Sequence, residues 1–144
     1  MATDRTADVV WQGDLMSGRG TIERVGSGAF GPLDVTWASR AEDPQGRTSP
    51  EELIAAAWAA CFSMALSNGL AQSGSPPEKL ETSATVTFQP GQGITRGALT
   101  VRATVPGLDD AGFRAAAEDA TQNCPVSKAL TGIPDVSVEA KLAS

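Results

Sequence analysis

The chain contains no histidine and no tyrosine in its 144 residues, and only two cysteines. Without histidine there is no Ser-His-Asp triad, no Cys-His pair and no imidazole-ligated metal within the chain. Two thiols fall short of a four-thiolate zinc site. Basic residues are outnumbered: 11 lysines and arginines against 17 acids leave a net charge of -6. That balance argues against nucleic acid or an anionic membrane as partners. The opening residues, MATDRTADVV, hold no apolar run of signal-peptide length, so the expected location is cytoplasmic, where a structural disulfide is uncommon. Chemistry, if there is any, must come from cysteine, arginine, lysine and carboxylates.

What is present is organised around one stretch, TSPEELIAAAWAACFSMALSNGLAQSG, residues 48–74. Ser49 can cap a helix, Pro50 suits the first helical position, and Glu52 stands where a capping-box acid belongs. From Leu53 to Leu66 the run is broken only by Ser63. Such a helix, apolar on all sides, is expected to be buried. It is short and alanine-rich for a membrane span, with acids near its start. It reads as the central helix of a soluble domain, with Cys61 at its middle.

Around it, Ala7 to Leu15, Thr21 to Val25 and Leu33 to Ala38 read as strands, and Ser39 to Arg47 as a polar loop. Gly26 to Gly31, GSGAFG, matches G-x-G-x-x-G, but Pro32 and the alternating LDVTW follow it instead of a helix, so it reads as a glycine-rich hairpin and not as a nucleotide site. Thr82 to Gln89 and Gly97 to Val105 alternate as strands. Asp109 to Thr121 is an amphipathic helix, Pro125 opens a short helix to Leu130, and Val136 to Leu142 is a last strand. The order βββ-α-ββ-αα-β predicts one α+β domain over residues 1–144, with antiparallel sheets packed on the central helix. A helix so apolar predicts a second subunit to complete its burial, hence an intertwined two-fold homodimer.

The two thiols lie far apart in the sequence, and each can be read as a small buried hydrophobe. Their flanks differ. Cys124 precedes Pro125 and so takes the cap position of a short helix, where backbone N–H groups favour a thiolate. Cys61, about three turns inside its helix, needs a cation from elsewhere. Arg40, in the preceding loop, is the first candidate and Arg47 the second. A guanidinium keeps its charge at cellular pH.

SPEELIAAAWAACFSMALS around Cys61 and NCPVSKAL around Cys124, with WQGDLMSGRGT near the start and GLDD before the penultimate helical region, closely resemble the OsmC/Ohr family of thiol-dependent peroxidases, in its OsmC branch. The resemblance implies that the first cysteine attacks a hydroperoxide and becomes a sulfenic acid, and that the second resolves it to a disulfide. It implies the catalytic set Cys61, Cys124, Arg40 and Glu51, with Arg19 standing near the place from which the Ohr branch takes its arginine. Trp58 stands where histidine or tyrosine is expected. No metal or bound cofactor is implied; the implied reductant is an external dithiol or lipoyl-type reductant. Alkyl or lipid hydroperoxides suit the apolar surroundings of Cys61. The alternative reading is a redox-sensing or stress-related binding module that uses the same cysteine pair without turnover.

Glu51 and Cys61 are ten positions apart. On a continuous helix that is about 15 Å along the axis, so Glu51 is expected to serve the Cys61 of a partner subunit.

Overall fold

The computed structural model describes residues 1–143 and divides into two compact units, Met1–Leu53 and Ile54–Ser144. The first unit is a three-stranded antiparallel sheet followed by a short helix. Strand β1 (Ala7–Gln12) pairs with β2 (Arg19–Val25), which pairs with β3 (Leu33–Val35). Trp11 lies over Gly20, where an added Cβ would meet its ring at 2.7 Å. The β2–β3 connection is the Gly26 to Gly31 loop. Gly31 has φ +118°, and a Cβ there would meet the Glu23 carbonyl oxygen at 3.0 Å, so the turn needs glycine. A strand rather than a helix follows, as a hairpin requires.

The third strand stops earlier than its alternation suggests. Residues Trp37–Ala41 form helix α1, started by a reciprocal cap: Thr36 Oγ1 accepts from Ser39 N–H at 3.0 Å, and Ser39 Oγ accepts from Thr36 N–H at 2.9 Å. The stretch expected as loop therefore begins with a helical turn. Ser39 Oγ also donates to the Thr48 carbonyl at 2.9 Å. Val35 and Thr48 form a parallel bridge, and together these contacts fasten the segment that leads into the long helix.

That helix, α2 (Pro50–Gln72), is continuous. Ser49 Oγ accepts from Glu52 N–H at 3.2 Å, but the Glu52 carboxylate turns to the Thr48 hydroxyl at 2.9 Å, so only half of the expected capping box forms. At 23 residues, or about 34 Å, α2 is long and apolar enough to cross a membrane. Length is thus no argument against a span. What marks α2 as a core helix is its row Trp58, Phe62, Leu66 and Leu70, all buried among residues of the second unit. It is not buried all round. Ala56, Ala57, Ala60 and Met64 face outward, Met64 at 73% exposure.

The second unit packs a mixed sheet against helices. Strands β4 (Lys79–Gln89) and β5 (Gly93–Thr104) form a hairpin, and β6 (Asp135–Leu142) lies parallel to β5. The expected all-antiparallel sheet is not found here, because β6 is reached through helices α3 (Asp110–Asn123) and α4 (Pro125–Ala129), a connection long enough for a parallel crossover. Asp109 caps α3, accepting from Gly112 N–H at 2.8 Å. Leu99, Val101 and Ala103 of β5, with Val105 just beyond it, face α2 residues and Phe113, Ala117 and Ala120 of α3, and Cys124 closes this core.

Candidate active site

The first unit brings Arg40 to Glu51. Arg40 sits in the last turn of α1 and Glu51 in the first turn of α2. The Ser39–Thr48 bond holds the two turns side by side. Arg40 Nε donates to Glu51 Oε1 at 3.1 Å and Oε2 at 3.2 Å, and Nη2 donates to Oε2 at 2.8 Å. This is a two-pronged guanidinium–carboxylate contact, the strongest geometry such a pair adopts. Glu51 is 5% exposed, while Arg40 keeps a third of its side chain accessible. Arg19, the other candidate arginine, opens β2 opposite Gln12 and is exposed. Arg47 is exposed in the loop before α2.

The second unit brings Cys61 to Cys124. Both are free thiols, Cys61 part-buried and Cys124 fully buried. Their side chains are neighbours, each thiol acting on the other's ionisation. The local reason is the cap. Cys124 ends α3 and begins α4, with its own N–H bonded to the Ala120 carbonyl at 2.8 Å. Its Sγ accepts from Ser127 N–H at 3.4 Å. Pro125 at the next position fixes the turn.

The two sulfurs are unequal. Burial pushes the Cys61 thiol up, and donating its proton to Cys124 pushes it further; a contact with the Val126 N–H only partly opposes this. Burial also works to raise Cys124, but hydrogen bonds from the Ser127 hydroxyl, from Cys61 and from the Ser127 and Val126 N–H groups outweigh it, so this thiol lies below its ordinary range. The two shifts run in opposite directions, up for Cys61 and down for Cys124. Among the described residues, no three side chains of the metal-ligating types converge.

Trp58, standing where histidine or tyrosine is expected, brings a hydrogen-bond donor to the Cys124 cap. Its indole Nε1 donates to Ser127 Oγ at 2.9 Å, while the ring is buried against Gly97. Ser127 was absent from the expected set. Its only signal in the sequence is its place three after a capping residue, where a backbone N–H meets the cap side chain.

The description "OsmC-like protein" matches residues 42–139. Over 133 residues the chain is 38% identical to Peroxiredoxin OsmC of Escherichia coli (strain K12), covering 90% of this chain and 92% of that one. It is 34% identical over 97 residues to an organic hydroperoxide resistance protein of Xanthomonas axonopodis pv. citri, covering 63% of this chain and 65% of the relative. The crystal structure of the organic hydroperoxide resistance protein OhrB of Bacillus subtilis superposes with a TM-score of 0.64 at 27% identity, covering 95% of this chain and 97% of that one. By the matched span, by sequence identity and by fold, the chain belongs to the OsmC family.

Proposed function

We propose that this protein is a thiol-dependent peroxidase that reduces organic hydroperoxides as part of stress defence. The observation that carries the reading is the pair of neighbouring free thiols, Cys61 and Cys124, in a chain related to proteins named peroxiredoxin and organic hydroperoxide resistance protein. The Cys61 sulfur attacks the outer peroxide oxygen, the O–O bond breaks, and the alcohol leaves with the Cys61 proton. Cys61 is then a sulfenic acid. The Cys124 sulfur attacks it, the S–O bond breaks, and hydroxide departs as the disulfide forms. An external dithiol returns both thiols to the reduced state. No metal or bound cofactor takes part in any of these steps. The alanines and Phe62 and Met64 around Cys61 on α2 favour alkyl or lipid peroxides over hydrogen peroxide.

A thiol raised by burial reacts poorly until something stabilises its anion. The Arg40–Glu51 pair is the proposed source of that charge. Arg40 is favoured over Arg19 because Glu51 already orients it. The ten-position spacing of Glu51 and Cys61 on unbroken α2 points to a two-fold homodimer in which the pair of one subunit serves the Cys61 of the other. The outward apolar face of α2 and the exposed Val9, Val10 and Trp11 of β1 are surfaces such a dimer would cover. The proposed setting is cytoplasmic.

The test is turnover. Reduced protein with a dithiol, dihydrolipoamide for example, should consume cumene or tert-butyl hydroperoxide. Cys61→Ala should be inert, and Cys124→Ala should stop as a trappable sulfenic acid. A single stoichiometric oxidation without cycling would make the protein a redox-sensing module instead.

A further inference from the structure

Ser127 stands between side chains that reach it from two elements. Trp58 of α2 donates its indole N–H to Ser127 Oγ at 2.9 Å. Toward its own helix start, Ser127 serves Cys124: its N–H donates to Sγ at 3.4 Å, and its hydroxyl, on the same residue, acts on that sulfur to favour the thiolate. An indole N–H can only donate, and a serine hydroxyl has one proton and two lone pairs. Trp58 therefore occupies a lone pair of Ser127 Oγ and leaves its single O–H for the sulfur. The indole is itself held in place, 1% exposed and close enough to Gly97 that an added Cβ there would stand 3.1 Å from its ring.

We propose that Trp58 and Ser127 are positioning residues for Cys124: the indole fixes the Ser127 hydroxyl as a donor to the sulfur, and that donor decides which sulfur departs when the Cys61–Cys124 disulfide is reduced. The inference rests on the disulfide cycle above and adds the direction of its reductive half. A thiolate of the dithiol forms a bond to Cys61 Sγ. The Cys61–Cys124 bond breaks, and its electron pair goes to Cys124 Sγ, which leaves as a thiolate facing the Ser127 donors. The reductant's second thiol gives up its proton and attacks the reductant sulfur held on Cys61. Cys61 leaves with that electron pair and takes up a proton, and the reductant ends as a disulfide. Exchange runs faster when the better-stabilised thiolate is the one expelled. Access favours the same direction, since Cys124 is fully buried and Cys61 is not. The groups acting on the Cys124 charge are the Cys61 thiol from α2 and the Ser127 and Val126 donors of α4.

The experiment oxidises the whole protein with one equivalent of tert-butyl hydroperoxide, adds limiting 2-mercaptoethanol, quenches with iodoacetamide and maps the peptides. The expected product carries mercaptoethanol on Cys61 and the alkyl group on Cys124. Ser127→Ala should slow reduction by dithiothreitol about tenfold, the scale of one hydrogen bond to a charged atom, and Ser127→Thr should restore it. In a Cys61→Ser background, where Cys124 is the lone thiol, Ser127→Ala should move the rise of thiolate ultraviolet absorbance to higher pH. Trp58→Phe should move it the same way by less; a loss of fold in that variant leaves the Ser127 pair to decide. Mercaptoethanol found on Cys124, or a Ser127→Ala protein with unchanged reduction rate and titration, overturns the proposal. Absence of any disulfide after peroxide sinks the peroxidase cycle instead, while the titration still judges the Ser127 donor.

Discussion

The Arg40 guanidinium holds both carboxylate oxygens of Glu51 at 2.8 to 3.2 Å, with Glu51 almost wholly withdrawn from solvent. Removing the arginine leaves a buried carboxylate without its counter-charge, a change that costs about 3 kcal/mol or more. Arg40→Met should therefore lower the urea midpoint at fixed protein concentration, and Glu51→Gln in the same background should recover part of the loss. A double-mutant cycle measures the coupling directly. Additive effects would show that the pair contributes nothing as a pair.

The same arginine should govern the pH dependence of peroxide reduction. Cys61 lies above its ordinary range when its surroundings are burial and its neighbouring thiol. A raised thiol stays protonated as pH climbs and becomes reactive late. If Arg40 of a second subunit supplies the missing positive charge, the wild-type rate should be established at lower pH than the Arg40→Met rate. Stopped-flow oxidation of Cys61 across pH reads this as an upward displacement of the rising limb, with the two rates converging at high pH. Superimposable profiles would remove Arg40 from the reaction and reopen the case for Arg19.

Much of this arrangement could be read from the chain, and the exceptions have physical causes. The long helix was legible because Ser49 and Pro50 mark its start and the apolar run has no breaker. Cys124 as a cap was legible because Pro125 follows it. Helix α1 was not, because LDVTW alternates like a strand up to Trp37, and its cap partner is Ser39 where a glutamate or glutamine is the usual signal. The parallel direction of β6 was not legible either, since alternation marks a strand but not its orientation. Uniform apolarity predicted a fully buried α2, yet of its apolar residues only the Trp58, Phe62, Leu66 and Leu70 row is fully buried within the chain. The contact between the two thiols has no signature in their spacing; it entered only through resemblance. Ser127 went unnoticed because a serine in a short helix is ordinarily a solvated polar residue.

Trp58 depends on the absence of a side chain at position 97. A Cβ on Gly97 would stand 3.1 and 3.3 Å from ring atoms of Trp58 and 3.7 Å from Ile133. The ring is buried and hydrogen-bonded to Ser127, so it has little freedom to yield. Gly97→Ala is expected to cost about 1–3 kcal/mol through overpacking, despite the better strand propensity of alanine. Chemical denaturation measures the loss, and indole fluorescence should change with it. An unchanged or raised midpoint would mean that the ring gives way freely, and with it the fixed donor to Ser127.

The composite site makes the most demanding claim, and two inactive proteins can test it. Cys61→Ala lacks the reacting sulfur but keeps an intact Arg40–Glu51 pair. Glu51→Gln keeps the sulfur but lacks the carboxylate that orients Arg40. If each site takes Cys61 from one subunit and Arg40–Glu51 from the other, a mixed dimer has one complete site and one site with both defects. Unfolding and refolding the two variants together in equal amounts should then restore about a quarter of wild-type activity, because half the dimers are mixed and half their sites are whole. Native mass spectrometry confirms that mixed dimers have formed. Mixed dimers without recovered activity would overturn the composite site. The charge on Cys61 would then have to come from some other group.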